Sequence, residues 1–259
     1  MNHQELTDGL KELKLTAMRE QFVEIATLAN QKNMTYEKYL GLLVKAELET
    51  KQKRKVDGLI KKATLPLAKS ISNFDFNRLS GNTARDFSKL SEGHFLKVPN
   101  NIVFYGGFGV GKTHLSIALV RALCEKGYKC YFSTLSSLIQ KLIDARLENK
   151  LSDLNKRLDK YDLIVCDELG YLAQTQDGAD LFFQLISQRY ERKSILITTN
   201  LTYSEWDKVF LNPLNTAVAV ERIVHNCITY NIKAPSKRKE EALEREKIRQ
   251  AEIANEELQ

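Results

Sequence analysis

Between residues 101 and 120 the chain reads NIVFYGGFGVGKTHLSIALV. A β-branched and aromatic run, Ile102, Val103, Phe104 and Tyr105, meets a glycine-rich turn, and a helical pattern opens at Lys112 and Thr113. Gly106, Gly111, Lys112 and Thr113 satisfy G-x-x-x-x-G-K-[ST] in the strand–turn–helix setting that gives this pattern its meaning. Glycines let the backbone curl so that successive N–H groups face inward at a helix N-terminus, where partial positive charge collects. The segment Gly106, Gly107, Phe108, Gly109, Val110, Gly111, Lys112, Thr113 and His114 is therefore expected to cradle a triphosphate. Lys112 is expected to reach the β- and γ-phosphates, and the Thr113 hydroxyl to ligate Mg²⁺. The plain alternative is a tight turn with an incidental lysine.

The rest of the chain supplies a setting for that loop. Apolar runs at 101–105, 129–133, 162–166, 194–199 and 227–232 alternate with helical patterns, which argues for an α/β fold with a mostly parallel five-stranded sheet. The first third reads as helix: Leu6, Leu10, Leu13, Ala17, Phe22, Ile25 and Ala29 share one apolar face. NQKNMT interrupts this pattern, and a second helix follows from Tyr36 to about Ala63. Leu65-Pro66 should end it, because the residue before proline is pushed out of the helical region. The expected organisation is a helical N-terminal domain over 1–64, a linker over 65–76, a nucleotide-binding domain over 77–235 and a charged helical or flexible tail over 236–259.

A phosphate loop that binds a metal needs an acidic partner, and YDLIVCDEL offers one at the end of an apolar strand. Asp167 is expected in the Mg²⁺ shell and Glu168 as the base that polarises an attacking water. A carboxylate pair at a strand end also suits a helix cap or a solvated turn. The phosphate loop 55 residues earlier favours the catalytic reading and favours hydrolysis over phosphoryl transfer to a small molecule. Asn200, closing ILITTN, could bond the attacking water or the γ-phosphate, although asparagine is also a common turn residue.

Composition narrows the partners. The chain carries a formal charge of +6, a modest excess that raises the case for a polyanionic partner without establishing one. Cys124, Cys130, Cys166 and Cys227 form no CxxC pair, so a zinc site is not expected. The polar start and the lack of a long apolar run point to a cytoplasmic protein with no membrane partner.

Several stretches together resemble the AAA+ ATPases of the IstB/DnaC group, and most closely the IstB-like helper ATPases of insertion-sequence transposition. They include LKELKLTAMREQF, TYEKYLGLLVKAELE, FDF at 74–76, GVGKTHLSIAL, DELGYL at 167–172, LFFQLISQRYERKSILITTN, SEWDKVF and ERIVHN at 221–226. The resemblance implies an AAA+ P-loop fold and ATP as the nucleotide. It makes Gly106 to Thr113 the Walker A loop, Asp167 and Glu168 Walker B, and Asn200 sensor 1. Arg222 falls where such proteins carry an arginine finger, which acts in a neighbouring subunit and implies a homo-oligomer; read alone, it is an ordinary helix-surface arginine. Arg238 falls near the family's Ser-Tyr-Arg triplet, whose arginine is a sensor 2, but Lys237 stands in place of the tyrosine.

The resemblance also implies ATP-bound subunits that assemble on duplex DNA, remodel it and present it to an IstA-like transposase, with hydrolysis releasing the assembly. The sequence offers two basic surfaces for non-specific duplex contact. Lys51, Lys53, Arg54 and Lys55 lie with Lys45, Lys61 and Lys62 on the second N-terminal helix. Lys141, Arg146, Lys150, Lys156 and Arg157 lie before Walker B. Solvated helix faces account for such runs equally well. A DnaC-like helicase loader is the nearest competing reading, and a small-molecule kinase the weakest.

Overall fold

A computed structural model describes residues 2–66, 83–170 and 175–256. The expected linker lies, from residue 67 onward, outside the described residues, as do FDF at 74–76 and Tyr171–Leu172. The chain divides into two compact units, Met1–Gly58 and Leu59–Gln259.

The first unit holds α1 (His3–Glu12), α2 (Thr16–Gln31) and most of α3 (Tyr36–Lys62). Asn2 opens α1 with a capping box: its side chain accepts the Glu5 N–H at 2.8 Å, and the Glu5 carboxylate accepts the Asn2 N–H at 2.9 Å. The apolar face read as continuous from Leu6 to Ala29 is in fact two helices. Lys14 takes a left-handed φ of 56°, and paired bonds from Lys14 N–H to Lys11 O and from Leu15 N–H to Leu10 O close α1. The periodicity survives the break, so the sequence pattern conceals it. Leu15 cannot cap α2, and a distant residue does so. The Glu47 carboxylate, buried in α3, accepts the N–H groups of Ala17 at 2.8 Å and Met18 at 3.1 Å.

The second unit is built on a sheet. Its elements run α4 (Thr83–Ser91), β1 (Asn101–Tyr105), α5 (Lys112–Glu125), β2 (Cys130–Thr134), α6 (Leu135–Leu147), α7 (Leu151–Leu158) and β3 (Leu163–Leu169). They continue with α8 (Gln176–Arg189), β4 (Ser194–Thr199), α9 (Asp207–Phe210), α10 (Pro213–His225), β5 (Cys227–Asn231) and α11 (Lys237–Glu256). All five strands pair in parallel, in the order β2-β3-β4-β1-β5. Alternate residues feed two apolar layers, as a sheet covered on both faces requires. Ile102, Phe104, Leu163, Val165 and Leu196 pack with α5 in one layer. Val103, Ile164, Cys166, Ile195 and Ile197 pack with α6, α8 and α10 in the other.

Two contacts finish the sheet. At the outer edge of β2, Ala63 O accepts the Phe132 N–H at 2.9 Å and Thr64 Oγ1 donates to Phe132 O at 2.5 Å, which shields an otherwise open strand edge. Below the N-terminal ends of β3 and β4, the Arg189 side chain is buried and donates to the carbonyls of Leu158, Tyr161, Asp162 and Ser194 at 3.0–3.3 Å. Burial lowers the Arg189 pKa to about 10, which still leaves it charged at neutral pH.

Candidate nucleotide site

The loop from Gly106 to Gly111 joins β1, the strand between β4 and β5, to the start of α5. Gly109 and Gly111 hold φ values of 74° and 99°, in the left-handed region that a side chain disfavours. A Cβ at Gly106 would stand 2.5 Å from Ile232 O, and one at Gly109 would stand 2.2 Å from Ser236 Oγ. The loop thus presses directly on the chain that follows β5. The Lys237 N–H donates to Gly109 O at 3.1 Å, so α11 begins at the loop itself. Phe108 is exposed at the loop, and His114 is half-buried in the first turn of α5.

Lys112 lies half-buried at the start of α5 and donates through Nζ to Gly106 O at 2.8 Å and Gly107 O at 2.7 Å. The Thr113 hydroxyl donates to Asp167 Oδ1 at 3.0 Å. A hydroxyl beside one buried carboxylate suits Mg²⁺, which takes few protein ligands and keeps waters and substrate phosphates as the rest. The loop, the lysine and the hydroxyl–carboxylate pair therefore fit a magnesium nucleotide.

β3 carries an irregularity at its acidic end. Between Cys166 and Leu169 it advances three residues while β4 advances two, from Ile197 to Thr199. Glu168 takes a φ of 64°, so this is a bulge with a left-handed residue. Thr198, fully buried opposite, donates to Asp167 Oδ1 at 2.5 Å and accepts the Glu168 N–H at 2.8 Å. Thr198 is not singled out by the sequence reading, although a hydroxyl two positions before Asn200, directly after an aliphatic run, is a signal. Asn200 lies half-buried just beyond β4; Thr199 Oγ1 accepts the Leu201 N–H at 3.0 Å and fixes the turn. Cys166, next to the acidic pair, is fully buried, and burial pushes its thiol up to about 12, so it is no nucleophile.

Arg222 stands apart from this group, on α10. Its guanidinium donates to Ser187 Oγ and lies 5.5 Å from the Phe183 ring centre and 5.9 Å from that of Tyr190. The Arg238 side chain lies outside the described residues.

The basic residues separate into distinct settings. Lys51 pairs with Glu47 at 3.7 Å and Arg54 donates to Thr16 at 3.0 Å, while Lys53 and Lys55 extend into solvent. Lys141, Lys150 and Arg157 line one cleft of about 400 Å³ with Tyr131, Tyr161, Asp144 and Glu148, and Lys150 is paired there with Glu148 at 2.8 Å. Arg146 pairs with Asp177 at 3.4 Å, and Lys156 with Asp153 at 3.8 Å, away from that cleft. These are exposed pairs, individually weak and easily exchanged for phosphate. A second cleft, of about 230 Å³, adjoins through Arg157 and Tyr161 and adds Lys62, Lys129 and Lys160. No helix among the described residues is long and apolar enough to cross a membrane.

The family profile of the IstB-like ATP binding proteins matches residues 8–245. The ATP-binding protein of insertion sequence IS5376 from Geobacillus stearothermophilus is 34% identical over 91% of this chain and 94% of its own. That of IS232 from Bacillus thuringiensis subsp. berliner is 32% identical over 92% and 95%. In three dimensions, DnaI superposes with a TM-score of 0.55 at 20% identity, covering 67% of this chain and 94% of its own. The DnaC helicase loader gives 0.50 at 25% identity, covering 59% and 92%. The fold is that of the AAA+ P-loop domains, preceded by helices. This chain belongs to the family of IstB-like ATP-binding proteins.

Proposed function

We propose that this chain is an ATPase that assembles on duplex DNA and serves an IstA-like transposase. The observation that carries the hydrolytic part is the line of bonds from Thr113 through Asp167 to Thr198 and Glu168, starting at the first turn beyond the phosphate loop. The loop N–H groups and Lys112 hold the phosphates of the substrate ATP, Lys112 exchanging its carbonyl partners for phosphate oxygens. Thr113 and Asp167 would hold Mg²⁺, which when bound would neutralise phosphate charge. Glu168 takes the proton of the attacking water as its oxygen bonds the γ-phosphorus; the bridging bond breaks, leaving ADP and inorganic phosphate. Asn200 positions that water or the γ-phosphate.

Hydrolysis in this reading depends on assembly. Arg222, held within one subunit by Ser187 and the two rings, leaves that shelf to reach the ATP of a neighbouring subunit in the homo-oligomer. ATP then acts as an assembly switch, favouring the oligomeric state in which its γ-phosphate is contacted from both sides.

The transposition part leans on the relatives named for insertion sequences and on two adjoining clefts, the smaller lined by Lys62, Lys129, Arg157 and Lys160 and the larger by cations mixed with Asp144 and Glu148. The clefts favour phosphate contact without base reading, hence non-specific and salt-sensitive binding. The deciding experiment mixes purified protein with non-specific duplex DNA and ATP, ADP or no nucleotide across a salt series, with complex size read in parallel. ATP-dependent, salt-sensitive large complexes are expected. Duplex DNA ignored in every nucleotide state would remove this reading and advance the helicase-loader alternative, which the likeness to DnaC favours. Pull-down with a replicative helicase would then come next.

A further inference from the structure

We propose that Thr198 is a positioning residue of the ATPase site, its hydroxyl pinning the β3 bulge that brings Asp167 and Glu168 to the nucleotide together. This rests on the hydrolytic reading above. In a regular strand consecutive side chains point to opposite faces, so only one of two adjacent carboxylates could address the phosphate loop. The extra residue in β3, with Glu168 left-handed, breaks that alternation at the acidic pair. Such a backbone persists only where its surroundings fix it.

Thr198 does the fixing with a single hydroxyl. Its one hydrogen goes to Asp167 Oδ1 at 2.5 Å, and a lone pair receives the Glu168 N–H at 2.8 Å. The donation needs Asp167 as an accepting carboxylate, the form that also ligates a metal. Thr113 donates to the same oxygen but has its own duty toward Mg²⁺, so Thr198 is the hydroxyl whose role is unchanged when metal binds. The preceding strand residues Ile195, Leu196 and Ile197 are aliphatic, and Thr198 itself is fully buried. Packing alone would be met by valine there. Thr199 beside it is buried as well, but its hydroxyl is engaged by Leu169 O and the Leu201 N–H, whereas that of Thr198 is the one bonded to Asp167 and to the Glu168 N–H.

The test compares Thr198→Val, Thr198→Ala and Thr198→Ser in the full chain. Turnover of ATP, its Mg²⁺ dependence, nucleotide binding with and without Mg²⁺, and the thermal midpoint are measured for each. Val and Ala should lower kcat roughly 30-fold and raise the Mg²⁺ needed for half-maximal ATP binding about tenfold, the scale at which lost support of a metal ligand is felt. Metal-free nucleotide affinity should stay within about twofold, and Ser should recover turnover to within roughly threefold of wild type. The proposal fails if Val or Ala keep wild-type kcat and Mg²⁺ dependence, or if they lose only thermal stability. It fails equally if Ser is as impaired as Val. Should Val not fold, Ala and Ser decide. A wild-type chain that never hydrolyses ATP removes the hydrolytic reading instead, and Mg²⁺-dependent binding then judges Thr198 alone.

Discussion

The Thr113 hydroxyl donates to Asp167 Oδ1 across 3.0 Å, tying the first turn of α5 to the end of β3 over 54 positions of sequence. Hydroxyl and carboxylate are thereby set side by side by the fold itself. Asp167→Asn keeps the shape but loses the anionic charge. ATP affinity in excess Mg²⁺ should fall to the value measured in a chelator, while wild type binds roughly tenfold or more tightly with the metal. Equal Mg²⁺ enhancement in mutant and wild type would show that Asp167 is not a metal ligand.

Lys112→Ala removes the lysine whose ammonium closes on the loop carbonyls of Gly106 and Gly107. Charge-assisted bonds to phosphate contribute about 1.5–3 kcal/mol each, so loss of affinity for ATP of about 10- to 100-fold or more is expected. Titration with a fluorescent nucleotide measures it. The thermal midpoint without nucleotide should barely move, since Lys112 is only half-buried.

Glu168→Gln should bind ATP as tightly as wild type and hydrolyse it about 10²- to 10⁴-fold more slowly, the range expected for a lost general base. Complexes on duplex DNA should consequently outlive those of wild type in ATP. If DNA complexes of the mutant decay at the wild-type rate, hydrolysis is not what releases them.

Arg222→Ala separates an intersubunit role from an internal one. Its contacts within the chain, one hydroxyl and two ring faces, are half-exposed and contribute little to stability. Nucleotide binding by isolated subunits should be kept, and DNA-stimulated turnover should fall by about 10³-fold or more. Mixing mutant with a Glu168→Gln partner should restore turnover if each supplies what the other lacks.

Acid stability should respond to Glu205, which stands just beyond Asn200. Its carboxylate accepts the Thr202 N–H at 2.9 Å, the Lys208 ammonium at 3.0 Å and the Thr202 hydroxyl at 2.9 Å, which lower its pKa from the ordinary 4.5 to about 2. A carboxylate lowered on folding stabilises the fold above its unfolded value, and that contribution is lost as pH falls toward the folded one. Glu205→Gln should therefore flatten the decline in stability between about pH 4.5 and 2, and leave the slope between pH 6 and 8 unchanged. Denaturant midpoints across that range give the answer.

Much of this architecture was readable because its signals are local. Ile102 to Tyr105 alternate between two apolar layers, and glycines flank a loop that bends the backbone where side chains would not fit. The strand from Ser194 to Thr199 lies where its β-branched run predicts. Long-range pairings were not readable. The break at Lys14 leaves the apolar period undisturbed, and Glu47 caps α2 from 30 positions away. Strand order, the bulge at Glu168 and the four carbonyls gathered by Arg189 depend on which segments meet after folding. The acidic pair itself was legible, but the left-handed bulge that it sits on was not.

Gly109 has a mechanical consequence. Its carbonyl bonds Lys237 and its missing Cβ is filled by Ser236, so the 20-residue α11 is rooted on the loop that grips phosphate. A helix of that length is about 30 Å long, and a tilt of roughly 5° at its root sweeps the tip through about 2.6 Å. A spectroscopic label on α11 would therefore report, magnified along the helix, any tilt that arises at Gly109.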